Sequence, residues 1–185
     1  MRPWLNALLA AATLAYPALV YVGLGHWNPL WMAMLLCTLP LMRAWADRNP
    51  MWLAAAGGAL LLGAAASLQG SWFPLKLYPV LVSTVLLVIF ASSLKFPPTV
   101  IERIARLREP QLPPSGVAYT RKVTAAWCVF FVANGGVSAA TAVWGSDHLW
   151  FLYNGLFAYV LIGLFFGVEW TIRQRVRLRA LHPHG

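Results

Sequence analysis

Few residues in this chain combine a reactive type with an unusual setting. Glu169 closes a long apolar run just before a basic tail, and Asn134 stands in the middle of another apolar run, followed by Gly135 and Gly136. A carboxylate so placed either forms an interfacial ion pair, with Arg173 one helical turn on or with Arg121 across a bundle, or takes part in proton-linked or substrate-binding chemistry. An amide in apolar surroundings needs partners, which makes Asn134 either a hydrogen-bonding link between helices or a ligand contact. Two polar turns carry His26 and the pair Asp147-His148. These are acid–base types, but without a nucleophile and an oriented third group they form no catalytic constellation, and turn polarity accounts for them. Cys37 and Cys128 fall inside apolar runs without metal-ligand or redox spacing. The sequence contains no phosphate loop, zinc motif, lipase elbow or series of embedded carboxylates. The expected role is therefore non-enzymatic, with no catalytic residue, cofactor or metal.

The elements that would position these residues follow from composition. The 185 residues are 60% apolar, 14% aromatic and only 10% charged, far below the roughly 25% charge of an ordinary soluble surface. The solvent of such a chain is lipid. Nine of the ten Trp lie near the ends of apolar runs, as in aromatic belts at headgroup level, and only Trp127 sits inside a run. Apolar runs at about 4–24, 28–42, 51–68, 77–94, 123–143 and 149–168 predict an all-α, polytopic transmembrane helix bundle of about six spans in a single domain. The second run is the shortest, about 22 Å by helical rise. The first begins like a signal peptide but has 21 residues where an h-region has about 7–15, so it reads as a retained helix, kinked at Pro17.

With six spans, thirteen of the fourteen Lys and Arg fall on one face of the membrane, and only Lys76 falls on the other. The positive-inside rule then puts both termini in the cytoplasm. The formal charge of +9 reads as an attraction to anionic lipid headgroups rather than to nucleic acid. The one long cytoplasmic loop, 95–122, holds Thr99-Val-Ile-Glu102, which has the form of a capping box. Val100, Ile101, Ile104 and Leu107 share a face opposite Glu102, Arg103 and Arg106, which predicts a short amphipathic helix at the interface between spans four and five. A basic tail occupies 171–185. Gly163-Leu-Phe-Phe-Gly167 has the small-xxx-small form, as do Ala59 and Gly63, and both predict close packing within the bundle.

From Lys76 to about Val168 the chain resembles the intracellular septation protein A family of bacterial inner-membrane proteins. The resemblance is carried by Lys95-Phe-Pro-Pro98, Val100-Ile-Glu-Arg103, Leu112-Pro113, Arg121, Ala126-Trp127 with Phe130-Phe131, Asn134-Gly135 and Trp150. It is the likeness of a divergent relative, because Lys122-Val-Thr124 replaces a more apolar stretch and the basic tail is longer. The chain is also similar to small membrane proteins encoded among acyl-chain and aryl-polyene biosynthesis genes. The resemblance implies an inner-membrane role in envelope maintenance and cell division through contacts with other membrane proteins, and it transfers no catalytic residue. The expected function is a scaffold or accessory factor of envelope biogenesis or septation. The alternative is a carrier or accessory protein for a lipid-like acyl or polyene product. Residues singled out for function or packing are Ile101, Ile104, Arg121, Trp127, Asn134, Gly163, Gly167 and Glu169.

Overall fold

The computed structural model describes residues 18, 20–23, 31, 34, 38, 41, 42 and 50–181, and all regular structure among them is helical. The expected runs at 4–24 and 28–42, the turn carrying His26, and the end of the basic tail lie largely outside the described residues. Helix α1 (Pro50–Gln69) ends at Gly70, whose φ of +58° is the left-handed conformation that glycine adopts without strain. The Ser71 N–H then closes the helix end by donating to the Ala66 carbonyl at 3.1 Å. A single turn, α2 (Phe73–Lys76), leads directly into α3 (Tyr78–Lys95), each opened by a proline whose missing N–H costs nothing in a first turn. The short α4 (Val100–Arg106) and the long α5 (Pro114–Trp144) follow. A bend at Gly145 separates α5 from a last helical arm, which consists of α6 (Asp147–Leu152), a π turn (Tyr153–Phe157) and α7 (Ala158–Leu181).

Three of these stretches, Phe73–Lys95, Pro114–Trp144 and Asp147–Gln174, are long and apolar enough to cross a membrane, and Ala56–Gln69 is a shorter apolar helix. Their outward faces carry Val129, Val132, Leu164 and Phe166, all more than half exposed. Hydroxyls within the apolar helices are satisfied locally. Thr84 donates to the Val80 carbonyl, Ser93 to Phe90 and Thr124 to Thr120, at 2.7–2.8 Å. Apolar exteriors, internally satisfied polar groups and helices of this length are the marks of a membrane protein.

Two buried clusters hold the bundle. The first gathers Ala59, Ala66, Leu75, Tyr78, Ala142 and Trp150 near one end, together with Val20 from the first apolar run. Beside it Tyr21 stacks on Phe151 with ring centroids 4.5 Å apart. Ala59 is wholly buried and Gly63 is buried as well, so this pair packs inside the bundle. The second cluster is Val123, Trp127 and Phe131, with Phe90, Phe130 and Phe165 against them. Helices α3 and α5 pack closely at Gly135, where an added Cβ would lie 3.1 Å from the Ser83 Cβ.

Two elements differ from the sequence expectation in informative ways. Helix α5 starts at Pro114, nine residues before the apolar run at Val123, because the Pro113-Pro114 step sets the helix start and nothing in Ser115–Lys122 breaks it. Helix α4 is capped as expected at Thr99, whose Oγ1 accepts from the Glu102 N–H at 3.3 Å. The Glu102 carboxylate, however, accepts from Arg106 at 2.8 and 2.9 Å, one turn ahead. The face of α4 turned to the bundle holds Glu102 and Ala105, both buried, whereas Ile104 and Leu107 point outward, 54% and 84% exposed. For an amphipathic helix at the interface the outward position is the favourable one for Ile104 and Leu107, and a paired carboxylate is the group that needs shelter.

Candidate functional site: a polar seam beside two apolar cavities

The polar groups of the bundle interior gather where α3, α5 and the π turn meet. Asn134 Nδ2 donates to Ser83 Oγ at 3.2 Å, and the Tyr153 hydroxyl donates to Asn134 Oδ1 at 3.1 Å. One helical turn along α5, the Ser138 hydroxyl donates to Asn154 Oδ1 at 2.8 Å, while Asn154 Nδ2 donates to the Trp150 carbonyl at 2.9 Å and reaches Thr141 Oγ1 at 3.5 Å. Ser83, Ser138 and Asn154 are all buried. The π turn explains how two successive residues serve both halves of this network. Its wider backbone loop aims Tyr153 at Asn134 and Asn154 at Ser138 from adjacent positions on the helix.

The network is closed at one end of the bundle by charge. Lys76 Nζ donates to Asp147 Oδ1 in an ion pair, with the Lys76 side chain 12% exposed and that of Asp147 56%. The Trp150 indole N–H donates to the Lys76 carbonyl at 3.0 Å, tying the last arm to the end of α2. Asp147 is therefore engaged with Lys76, and His148 beside it is exposed.

Beside the network lies a cavity of about 190 Å³ between α3, α5 and α7. Val82, Leu86, Phe130 and Ile162 give it apolar walls, and Ser83, Asn134, Asn154 and Tyr159 place polar groups on its lining. A second cavity, of about 310 Å³, opens between α5 and α7 near Tyr119 and Glu169.

The residues singled out from sequence are divided among these features. Asn134 joins the network and lines the first cavity. Trp127 is 4% exposed at the centre of an aromatic cluster, with Phe165 and Phe166 at centroid distances of 4.5 and 4.7 Å. Its indole N–H has no hydrogen-bond partner among the described residues. Glu169 lines the second cavity and forms no ion pair with Arg121 or Arg173; its Oε1 is buried without a partner among the described residues. Arg121 is exposed. Ile101 packs against the second cluster while Ile104 faces outward, so the two do different work. Gly163 and Gly167 are exposed, and a Cβ built on either meets nothing within 4 Å among the described residues.

Sequence reasoning missed Ser83, Ser138, Tyr153 and Asn154. Asn154 was the findable one, a second amide within an apolar run and directly followed by glycine, the same signal that marked Asn134. Among the described residues no group of three or more His, Cys, Asp or Glu is placed to hold a metal ion. Comparison with protein families, with curated proteins and with solved structures finds no match to this chain.

Proposed function

We propose that this is a multi-pass protein of the bacterial inner membrane, with about six spans and both termini cytoplasmic, that assists cell-envelope biogenesis by holding a lipid-like molecule within its helix bundle. The observation that carries this reading is the cavity of about 190 Å³ between α3, α5 and α7, apolar on most sides and lined at one wall by Ser83, Asn134 and Asn154. Apolar walls facing empty space forfeit dispersion contacts, and an acyl or polyene chain supplied by the surrounding bilayer restores them. A few convergent polar groups on an otherwise apolar lining are the usual make-up of a small-molecule site. Asn134 suits that part. Its amide makes one bond to Ser83 and accepts one from Tyr153, keeping a second N–H for a ligand oxygen.

The test is retention of lipid by the purified full-length protein, counted by native mass spectrometry after transfer from bilayer to detergent. Wild-type protein should keep one firmly held amphiphile. Val82→Phe, which narrows the slot, and Asn134→Leu, which removes its polar wall, should each lose it while the protein still unfolds cooperatively. Equal retention by all three would remove the reading.

A scaffold reading, in line with the septation-family resemblance, draws on the outward Ile104 and Leu107 of α4. It would be favoured if Ile104→Asp abolished complementation of a gene deletion while lipid retention stayed at the wild-type level.

A further inference from the structure

Along the seam between α5 and α7 the two cavities are neighbours. Phe130 and Ile162 line the first, and Ala126 and Phe165, about one turn nearer the Glu169 end, line the second. The rings of Phe130 and Phe165 meet between them with centroids 5.4 Å apart. The second cavity has walls that are almost entirely apolar, from Val123, Ala126, Phe165, Val168 and Ile172, yet it carries two opposite charges, Lys122 and Glu169. Glu169 Oε1 is buried and unpartnered among the described residues, which is a costly state for a carboxylate oxygen. The Tyr119 hydroxyl in the same lining does not relieve it, because it donates to the Glu169 backbone carbonyl at 3.3 Å. Lys122, also in the lining, is exposed.

The level of these charges identifies what faces them. Helix α5 is about 46 Å long by its rise per residue, whereas a hydrocarbon core is about 30 Å thick. The apolar run of α5 begins at Val123, so Tyr119, Lys122 and Glu169 stand where that run ends and headgroups lie.

We infer that the second cavity holds the headgroup of a phospholipid carrying a primary ammonium, of the phosphoethanolamine type, with the ammonium on Glu169 and the phosphate on Lys122. A primary ammonium brings three N–H donors to an oxygen that has none. A quaternary ammonium brings charge without donors, and a glycerol headgroup brings no positive charge at all. The apolar walls take the upper part of the chains, and the adjoining cavity takes what extends further. That extension rests on the function proposed above, whereas the headgroup assignment stands on Lys122 and Glu169.

The experiment uses full-length protein in nanodiscs of equal parts phosphatidylethanolamine, phosphatidylcholine and phosphatidylglycerol with identical acyl chains, followed by native mass spectrometry of the lipid retained in detergent. Wild-type protein should keep phosphatidylethanolamine over phosphatidylcholine by about tenfold, the worth of one charge-assisted hydrogen bond. Glu169→Gln should bring that ratio to about one, and Lys122→Gln should lower retention of all three phospholipids together. Equal retention of the three headgroups by wild-type protein overturns the headgroup assignment and leaves the chain-binding reading standing. Retention of none overturns both. Because the headgroup comparison is made first on wild-type protein, poor folding of either variant leaves the inference open to refutation.

Discussion

Two tryptophans mark a contrast between the ends of the described bundle. Trp150 is wholly buried and its indole N–H donates to the Lys76 carbonyl, while Trp127 is 4% exposed and its indole N–H has no partner among the described residues. Around Trp150 the buried polar groups are engaged with one another. Lys76 holds Asp147, Asn154 holds Ser138, and Tyr153 holds Asn134. Around Trp127 the neighbours are aromatic rings, and the nearby carboxylate of Glu169 keeps a buried oxygen unpaired among those residues. A hydrogen-bond network of this kind fixes one arrangement of helices, and Asn134, with one N–H to spare beside the first cavity, is the member that still offers a ligand something. At the other end the Glu169 oxygen offers a whole unused acceptor. The contrast therefore separates a part of the bundle whose polar groups chiefly set its geometry from a part whose polar groups are left for use.

The largest effect should come from Asn154→Leu, which takes the acceptor from Ser138 and leaves the Trp150 carbonyl and Thr141 without their amide. A loss of about 2–3 kcal/mol is expected, several hydrogen bonds each worth about 0.6–1 kcal/mol in a membrane bundle. Steric trapping in bicelles would measure it, and a loss below 0.5 kcal/mol would show the network to be dispensable. Next comes a matched pair, Trp150→Phe and Trp127→Phe. Both remove the same ring volume, but only the first strands a buried carbonyl, so Trp150→Phe should cost about 1–2 kcal/mol more. Equal costs would erase the contrast. The smallest effect is expected from Ser83→Ala, about 0.6 kcal/mol by the same assay, since Asn134 keeps its bond from Tyr153.

Helix existence was the part of the fold most legible in the sequence, because an apolar run long enough to cross lipid has few alternative structures. Of the interior site, Asn134 stood out as an amide in apolar surroundings, whereas Ser83 and Ser138 did not. A serine inside an apolar helix bonds back to its own backbone as readily as to a neighbour, and nothing local distinguishes the two. The pattern of α4 showed an apolar face but not what it meets: Ile101 packs on the second cluster, Ile104 and Leu107 point outward, and Glu102, expected to reach back to the cap, turns in beside Ala105 and pairs with Arg106. The early start of α5 was written in Pro113-Pro114, but helix length and apolar length are separate quantities, and only the second tracks the bilayer. Glu169 stood out in the sequence as a carboxylate closing an apolar run, but the ion pair expected with Arg121 or Arg173 does not form, and which residues of α5 it meets follows from the relative rotation of α5 and α7.

That rotation is set within the π turn at Tyr153–Phe157. A π turn holds about one residue more than the α turns on either side, and one residue corresponds to about 100° of helical phase. Everything beyond it, including Ile162, Phe165 and Glu169, is dialled round relative to Trp150 by that single extra residue. The last arm is in this sense two half-helices in different phase, one tuned to the Lys76 end and the other to the seam with α5. The alignment of the two cavities is thus held by a residue count, which a one-residue deletion there would cancel even if every side chain lining them were left unchanged.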